Sequence, residues 1–153
     1  ISFIIYILIF CFLFYFLSNF LFSKIILYTL ILGCIASDIG GFIFGKLFKG
    51  PKLTKISPNK TYAGAVGSLI FSIMIVSSFF ILFFNLNNFY IIITGFVISI
   101  FCQLGDLLFS FLKRKAKIKD TGNILPGHGG ILDRLDGVLL GIPAGFVSVM
   151  MIS

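Results

Sequence analysis

The stretch FYIIITGFVISIFCQLGDLLFSFL, Phe89 to Leu112, decides what kind of protein this is. It supplies the roughly 20 apolar residues that a helix needs to cross the hydrocarbon core of a bilayer. Its one charge is Asp106. An intramembrane carboxylate is costly and by default marks a functional site. Comparable apolar segments lie on both sides: Ser2–Phe22, Ile25–Phe48 with Asp38, Thr61–Phe84, and Ile131–Ile152 with Pro143. Ser2–Phe22 has neither a basic leader nor a small-residue cleavage site, so it reads as a span and not as a signal peptide. Only 11% of the residues are charged, and the mean hydropathy is 1.15. The fold class is therefore all-α: a polytopic membrane helix bundle of about five spans, with functional loops at one surface. The first residue is Ile1, not Met. We expect one membrane-embedded domain over residues 1–153 that lacks N-terminal spans. Cys11, Cys34 and Cys102 all fall in apolar runs, in no metal or redox spacing, and read as packing residues.

The charges are few and placed. All five acidic residues are Asp, and eleven of the twelve basic ones fall in Lys46–Lys60 or Lys113–Arg134. These two loops are two spans apart and so share one side, which the positive-inside rule makes cytoplasmic. The uncharged NLNN turn, Asn85–Asn88, falls on the other side, and Lys24 is a mild exception. Asp38, Asp106, Asp133 and Asp136 then all lie near the cytoplasmic ends of their spans. The expected location is a bacterial inner membrane, with no nucleic-acid partner.

Three constellations can carry chemistry. In LDRLD, Asp133 and Asp136 share a face at i, i+3. Carboxylates also simply favour a helix N-terminus, and Arg134 can pair with either. That simpler reading leaves Asp106 unexplained. Three carboxylates at one depth repel unless a cation joins them, and a hard ion such as Mg²⁺, one or two of them, takes oxygen ligands and leaves room for phosphates. Second, Lys113, Arg114, Lys115, Lys117 and Lys119 cluster before PGHGG, Pro126–Gly130. Such a cluster can serve topology and anionic lipid alone. Here it runs into Gly127, Gly129 and Gly130, which allow close backbone approach and open a helix whose free N–H groups can hold an anion. His128 sits between that turn and the carboxylates. Third, SDIGG, Ser37–Gly41, carries Asp38 and glycines that can be packing residues. The turn ISPNKT, Ile56–Thr61, puts Ser57, Lys60 and Thr61 at the surface, where an anionic lipid headgroup fits.

SFLKRKAKIKDTGNILPGHGGILDRLD, Ser110–Asp136, resembles the signature of the phosphatidate cytidylyltransferases, also called CDP-diacylglycerol synthases. SDIGG, FGK, ISPNKT and QLGD resemble further pieces of that family in the same order, so the resemblance spans roughly residues 33 to 145. Three positions depart from the family's habit: Ile39 for Thr, Ala63 for Glu and Gly137 for Ser.

The resemblance implies a Mg²⁺-dependent transfer of the cytidylyl group of CTP to phosphatidate, giving CDP-diacylglycerol and pyrophosphate. It implies that Asp106, Asp133 and Asp136 hold the metal, and that Lys113, Arg114, Lys119 and His128 meet the CTP phosphates. Lys60, Ser57 and Thr61 would bind the phosphatidate headgroup, with Asp38 in support and Arg134 on Asp133 or a phosphate. Membrane lipids and a second copy in a homodimer complete the expected partners. Among the rivals, a CTP-dependent polyprenol kinase shares the chemistry but not PGHGG…LDRLD. A CDP-alcohol phosphotransferase needs further aspartates after Asp136, and none follow. An ion-coupled transporter would place its acids nearer the midplane.

Overall fold

A computed structural model describes residues 2–54, 57, 60–84, 89–118, 121, 130 and 132–151. Among the described residues five helices follow in order: α1 (Ser2–Asn19), α2 (Leu21–Phe48), α3 (Tyr62–Phe84), α4 (Phe89–Lys115) and α5 (Leu132–Met150). Three of them, α2, α3 and α4, are long and apolar enough to cross a membrane, whereas α1 and α5 are apolar but shorter. The described residues form a helical membrane bundle. Large side chains such as Phe12, Leu21 and Leu82 face outward, where a bilayer would cover them. Leu30, Cys34, Val76, Ile98, Cys102 and Ile142 pack inward as the core.

The helix ends follow local chemistry. The first turn comes at Phe20, not at Ser23–Lys24 as expected from the polar residues there. Ser18 Oγ and Asn19 Nδ2 both donate to the Tyr15 carbonyl, at 2.7 and 2.8 Å, and occupy an acceptor that the helix end leaves free. Lys24 therefore lies within α2. At the other end of α2, Lys49 takes a left-handed conformation (φ 38°) before Gly50 and Pro51 stop the helix. The fourth span runs three residues past Leu112, because Lys113, Arg114 and Lys115 suit the negative end of the helix dipole. It closes with Lys117 left-handed (φ 57°) and the Ile118 amide donating to the Lys113 carbonyl at 3.0 Å.

Close approach of small residues sets the helix spacing. A Cβ on Gly40 would lie 2.5 Å from the Gly67 carbonyl oxygen, so α2 and α3 touch through their backbones. A Cβ on Gly105 would lie 2.6 Å from the Asp136 carbonyl, so α4 and α5 do the same. Inside α5, Pro143 has no N–H for the Leu139 carbonyl four residues back. Tyr6 of α1 donates its hydroxyl to that carbonyl. An acceptor that water cannot reach in a membrane is thereby satisfied by a neighbouring helix.

Candidate active site

The site is built at one end of the bundle, where the basic ends of α2 and α4 meet the starts of α3 and α5. The loop after α2 folds back on itself. The Leu53 amide donates to the Lys60 carbonyl at 2.7 Å, and the Tyr62 amide to the Pro51 carbonyl at 3.2 Å. Thr61 then caps α3, its Oγ1 accepting the Gly64 amide at 3.1 Å. This clasp fixes Lys60 at the mouth of the helix, and its Nζ meets Asp106 Oδ2 at 2.8 Å. Both side chains are about a quarter exposed. They border a cavity of about 440 Å³.

Asp38 and Phe42 of α2, Ser57 and Lys60 of the loop, and Thr61, Ala65 and Ser68 at the start of α3 line this cavity. Gln103, Asp106 and Ser110 of α4 and Asp136 of α5 complete it. The Gly105–Gly137 crossing brings α4 and α5 so close that the Asp106 and Asp136 carboxyls adjoin. Two ionised carboxyls this close repel unless a cation joins them. Lysines flank both: Lys60 on Asp106, and Lys113 Nζ 3.9 Å from Asp136 Oδ2. The arrangement can neutralise anionic groups from two sides while offering a pair of oxygen ligands from below.

The expected residues divide as follows. Asp38, Ser57, Lys60, Thr61, Asp106 and Asp136 come together around one cavity. Lys113 joins them through Asp136. Arg114 lies exposed on the last turn of α4, outside the lining, and Gly130 is buried just before α5. Lys119, Gly127, His128 and Gly129 lie outside the described residues, as do the side chains of Asp133 and Arg134. Asp38, Asp106 and Asp136 share the cavity, but among the described residues no three His, Cys, Asp or Glu side chains stand close enough to hold one metal ion together. The expected carboxylate set is thus represented by its Asp106–Asp136 pair.

Gln103 and Ser110 fall in the QLGD and SFLKR pieces but carry no assigned role in the sequence, and Ser68 falls in no motif, yet all three line the cavity. For two of them a signal existed. Gln103 and Ser110 stand at i−3 and i+4 from Asp106, so all three share one helical face. Ser68 had none, because its place depends on how α3 packs against Gly41 of α2.

Comparison with known proteins assigns a family. The profile of the "Cytidylyltransferase family" matches residues 1–152. A phosphatidate cytidylyltransferase of Staphylococcus haemolyticus is 47% identical over 109 residues, covering 70% of this chain and 42% of that protein. One from Rickettsia felis is 42% identical over 128 residues, covering 76% of this chain and 56% of its own length. One from Mycobacterium leprae is 43% identical over 115 residues, 73% of this chain and 36% of the relative. The chain spans about half the length of the curated relatives it matches. A profile match over nearly every residue makes this chain a member of the cytidylyltransferase family.

Proposed function

We propose that the full protein transfers the cytidylyl group of CTP to phosphatidate, on the cytoplasmic face of a bacterial inner membrane. A phosphate oxygen of phosphatidate attacks the α-phosphorus of CTP. The bond from that phosphorus to the bridging oxygen breaks, and pyrophosphate leaves with the electron pair. The attacking oxygen is already ionised, so no strong general base is required. The observation that carries this reading is the cavity itself, in which Lys60 meets the adjoining Asp106 and Asp136 carboxyls at one end of an apolar helix bundle. Transition-state charge at phosphorus is best stabilised by fixed cations of this kind.

The donor set suits Mg²⁺. Asp106 and Asp136 offer only hard oxygen atoms, adjoin one another and face open volume. Mg²⁺ commonly takes one or two carboxylates and fills its remaining positions with water and substrate phosphates. Asp106 and Asp136, with Asp133 by resemblance, would hold it. When bound it supplies Lewis-acid stabilisation to the phosphates. The protein's own groups do the rest. Lys60, Ser57 and Thr61 orient the lipid phosphate. Lys113, Arg114, Lys119 and His128 neutralise and place the triphosphate, and Asp38 supports the cavity from α2. Homodimeric assembly, implied by the resemblance, belongs to the same proposal.

A transporter reading has less support, since Asp38, Asp106 and Asp136 line one cavity together with Ser57 and Lys60 of the polar loop. The test is to incubate full-length protein in detergent with radiolabelled CTP, phosphatidate and Mg²⁺, with and without EDTA. Label should enter the lipid phase only when metal is present. Well-folded protein that yields no labelled lipid refutes the proposal.

A further inference from the structure

Gln103 lies one turn before Asp106 on α4 and lines the same cavity. Its Nε2 donates to the Ala65 carbonyl of α3 at 3.3 Å and to Ser99 Oγ at 3.2 Å. A primary amide has two N–H donors, and here both are used. A peptide carbonyl only accepts, so the nitrogen of the amide must face Ala65 and the orientation of the side chain is fixed. Ser99 continues the chain of bonds to Ser37 of α2, Oγ to Oγ at 3.0 Å, and both serines are buried. Gln103 ties α4 to α3, and Ser99 ties α4 to α2, so the two together join three helices beneath the charged groups.

What this tie sets is the distance between two partners on different helices. Ala65 lies one turn into α3, which Thr61 caps and Lys60 precedes. Gln103 lies one turn from Asp106. The bond between Ala65 and Gln103 is thus the nearest described cross-link below the 2.8 Å contact of Lys60 with Asp106. The bond is part-buried, and the Ser99–Ser37 pair that continues it is fully buried. We infer that Gln103 is a positioning residue, which holds Asp106 in register with Lys60 by bracing α4 against α3 and, through Ser99 and Ser37, against α2. It acts through its neighbours and not on the reacting atoms.

The kinetic arm of the test rests on the proposed transfer reaction; a second arm does not. In the full-length enzyme, Gln103→Leu keeps the bulk and removes both donors. Misplacing a reacting group by about 1 Å costs on the order of 100-fold, so kcat should fall about 30- to 100-fold, with the KM for CTP changed less than about threefold. The concentration of Mg²⁺ giving half-maximal rate should rise. Ser99→Ala should cost less, and the double variant should match Gln103→Leu alone, because the two residues act in one chain. Gln103→Glu, which turns an acceptor toward the Ala65 carbonyl, should fail to rescue.

The independent arm measures acetylation of Lys60 by peptide mass spectrometry, in the absence of substrate. Loosening its ion pair should speed modification about fivefold in Gln103→Leu, the protection that a partly exposed pair of ordinary strength gives. Ser72→Ala is the control. It removes a different α3–α4 hydrogen bond, Ser72 Oγ to the Gly95 carbonyl at 3.0 Å, deeper in the bundle. It should lower thermal stability without altering Lys60 reactivity. Equal effects of Ser72→Ala and Gln103→Leu on Lys60, or additive losses in the double variant, would overturn the inference. If wild-type enzyme makes no CDP-lipid, the functional reading fails and the acetylation arm still decides the role of Gln103.

Discussion

Replacing Gly105 by Ala should disable the site while leaving most of the bundle folded. The added Cβ would lie 2.6 Å from the Asp136 carbonyl oxygen and 3.1 Å from Gly137 Cα. Both are backbone atoms, so no side chain can swing aside. Ordinary contact begins at 3.4 Å, and α4 and α5 must therefore part by roughly 0.8 Å. Overpacking of this kind costs about 1–3 kcal/mol. The functional cost should be far larger. Asp106 directly follows Gly105, and Asp136 owns the carbonyl that is struck. The two adjoining carboxyls would separate by most of that displacement, and a shift near 1 Å at a reacting centre costs on the order of 100-fold in rate. The assay is CDP-lipid synthesis by full-length enzyme in detergent, beside a thermal melt. Gly50→Ala is the control, because its Cβ would meet only the Ala63 side chain and amide, at 3.7 and 3.8 Å. If Gly105→Ala stays within about threefold of wild type, the reasoning that the helix crossing sets the carboxyl pair is wrong.

Further outcomes follow from the same geometry. Tyr6→Phe should cost about 0.5–1.5 kcal/mol in a melt, because it strands the Leu139 carbonyl. In a Pro143→Ala background, where the helix regains a donor for that carbonyl, the same change should cost less. Asp106→Ala should lower CDP-lipid formation by about 1,000-fold or more while the protein still inserts, and near-normal turnover would remove Asp106 from the metal face. Lys60→Met should lower kcat/KM for phosphatidate by about 100-fold but change the melt by only about 1 kcal/mol, since both members of the pair are partly exposed.

Much of this was legible in the sequence because a membrane chain has so few polar residues. Each Asp within an apolar run costs free energy and needs a reason, so Asp38, Asp106 and Asp136 stand out in the sequence alone. The lysine loops placed their ends of the spans on one side, and in the structure those ends indeed meet around one cavity. The turn at Phe20 escaped notice because it is made by Ser18 and Asn19 folding back on Tyr15, while Ser23 and Lys24, polar enough to suggest a loop, are tolerated inside α2. The extra turn of α4 was hidden by its lysines, which read equally well as loop or as a helix terminus.

What the sequence could not show is which polar group meets which. Lys60 and Asp106 are 46 positions apart, and Tyr6 and Leu139 are 133 apart. No local period encodes either contact. Both depend on how closely helices approach, and that is set by residues that carry no chemistry at all. Gly40 against Gly67 brings α3, and with it Lys60, onto α2; Gly105 against Asp136 brings the carboxyls together. Hence Gly137 bears on the site without touching a substrate. A Cβ there would meet Asp106 Oδ1 and Cys102 Sγ, each at 2.8 Å. A side chain added there either forces α4 and α5 apart or turns the Asp106 carboxyl into another rotamer. Gly137→Ser separates the two. Parting of the helices predicts a lower melting temperature and a lower rate together, whereas a rotamer change predicts an altered rate at an unchanged melting temperature, the serine hydroxyl then serving Asp106 as a hydrogen-bond donor.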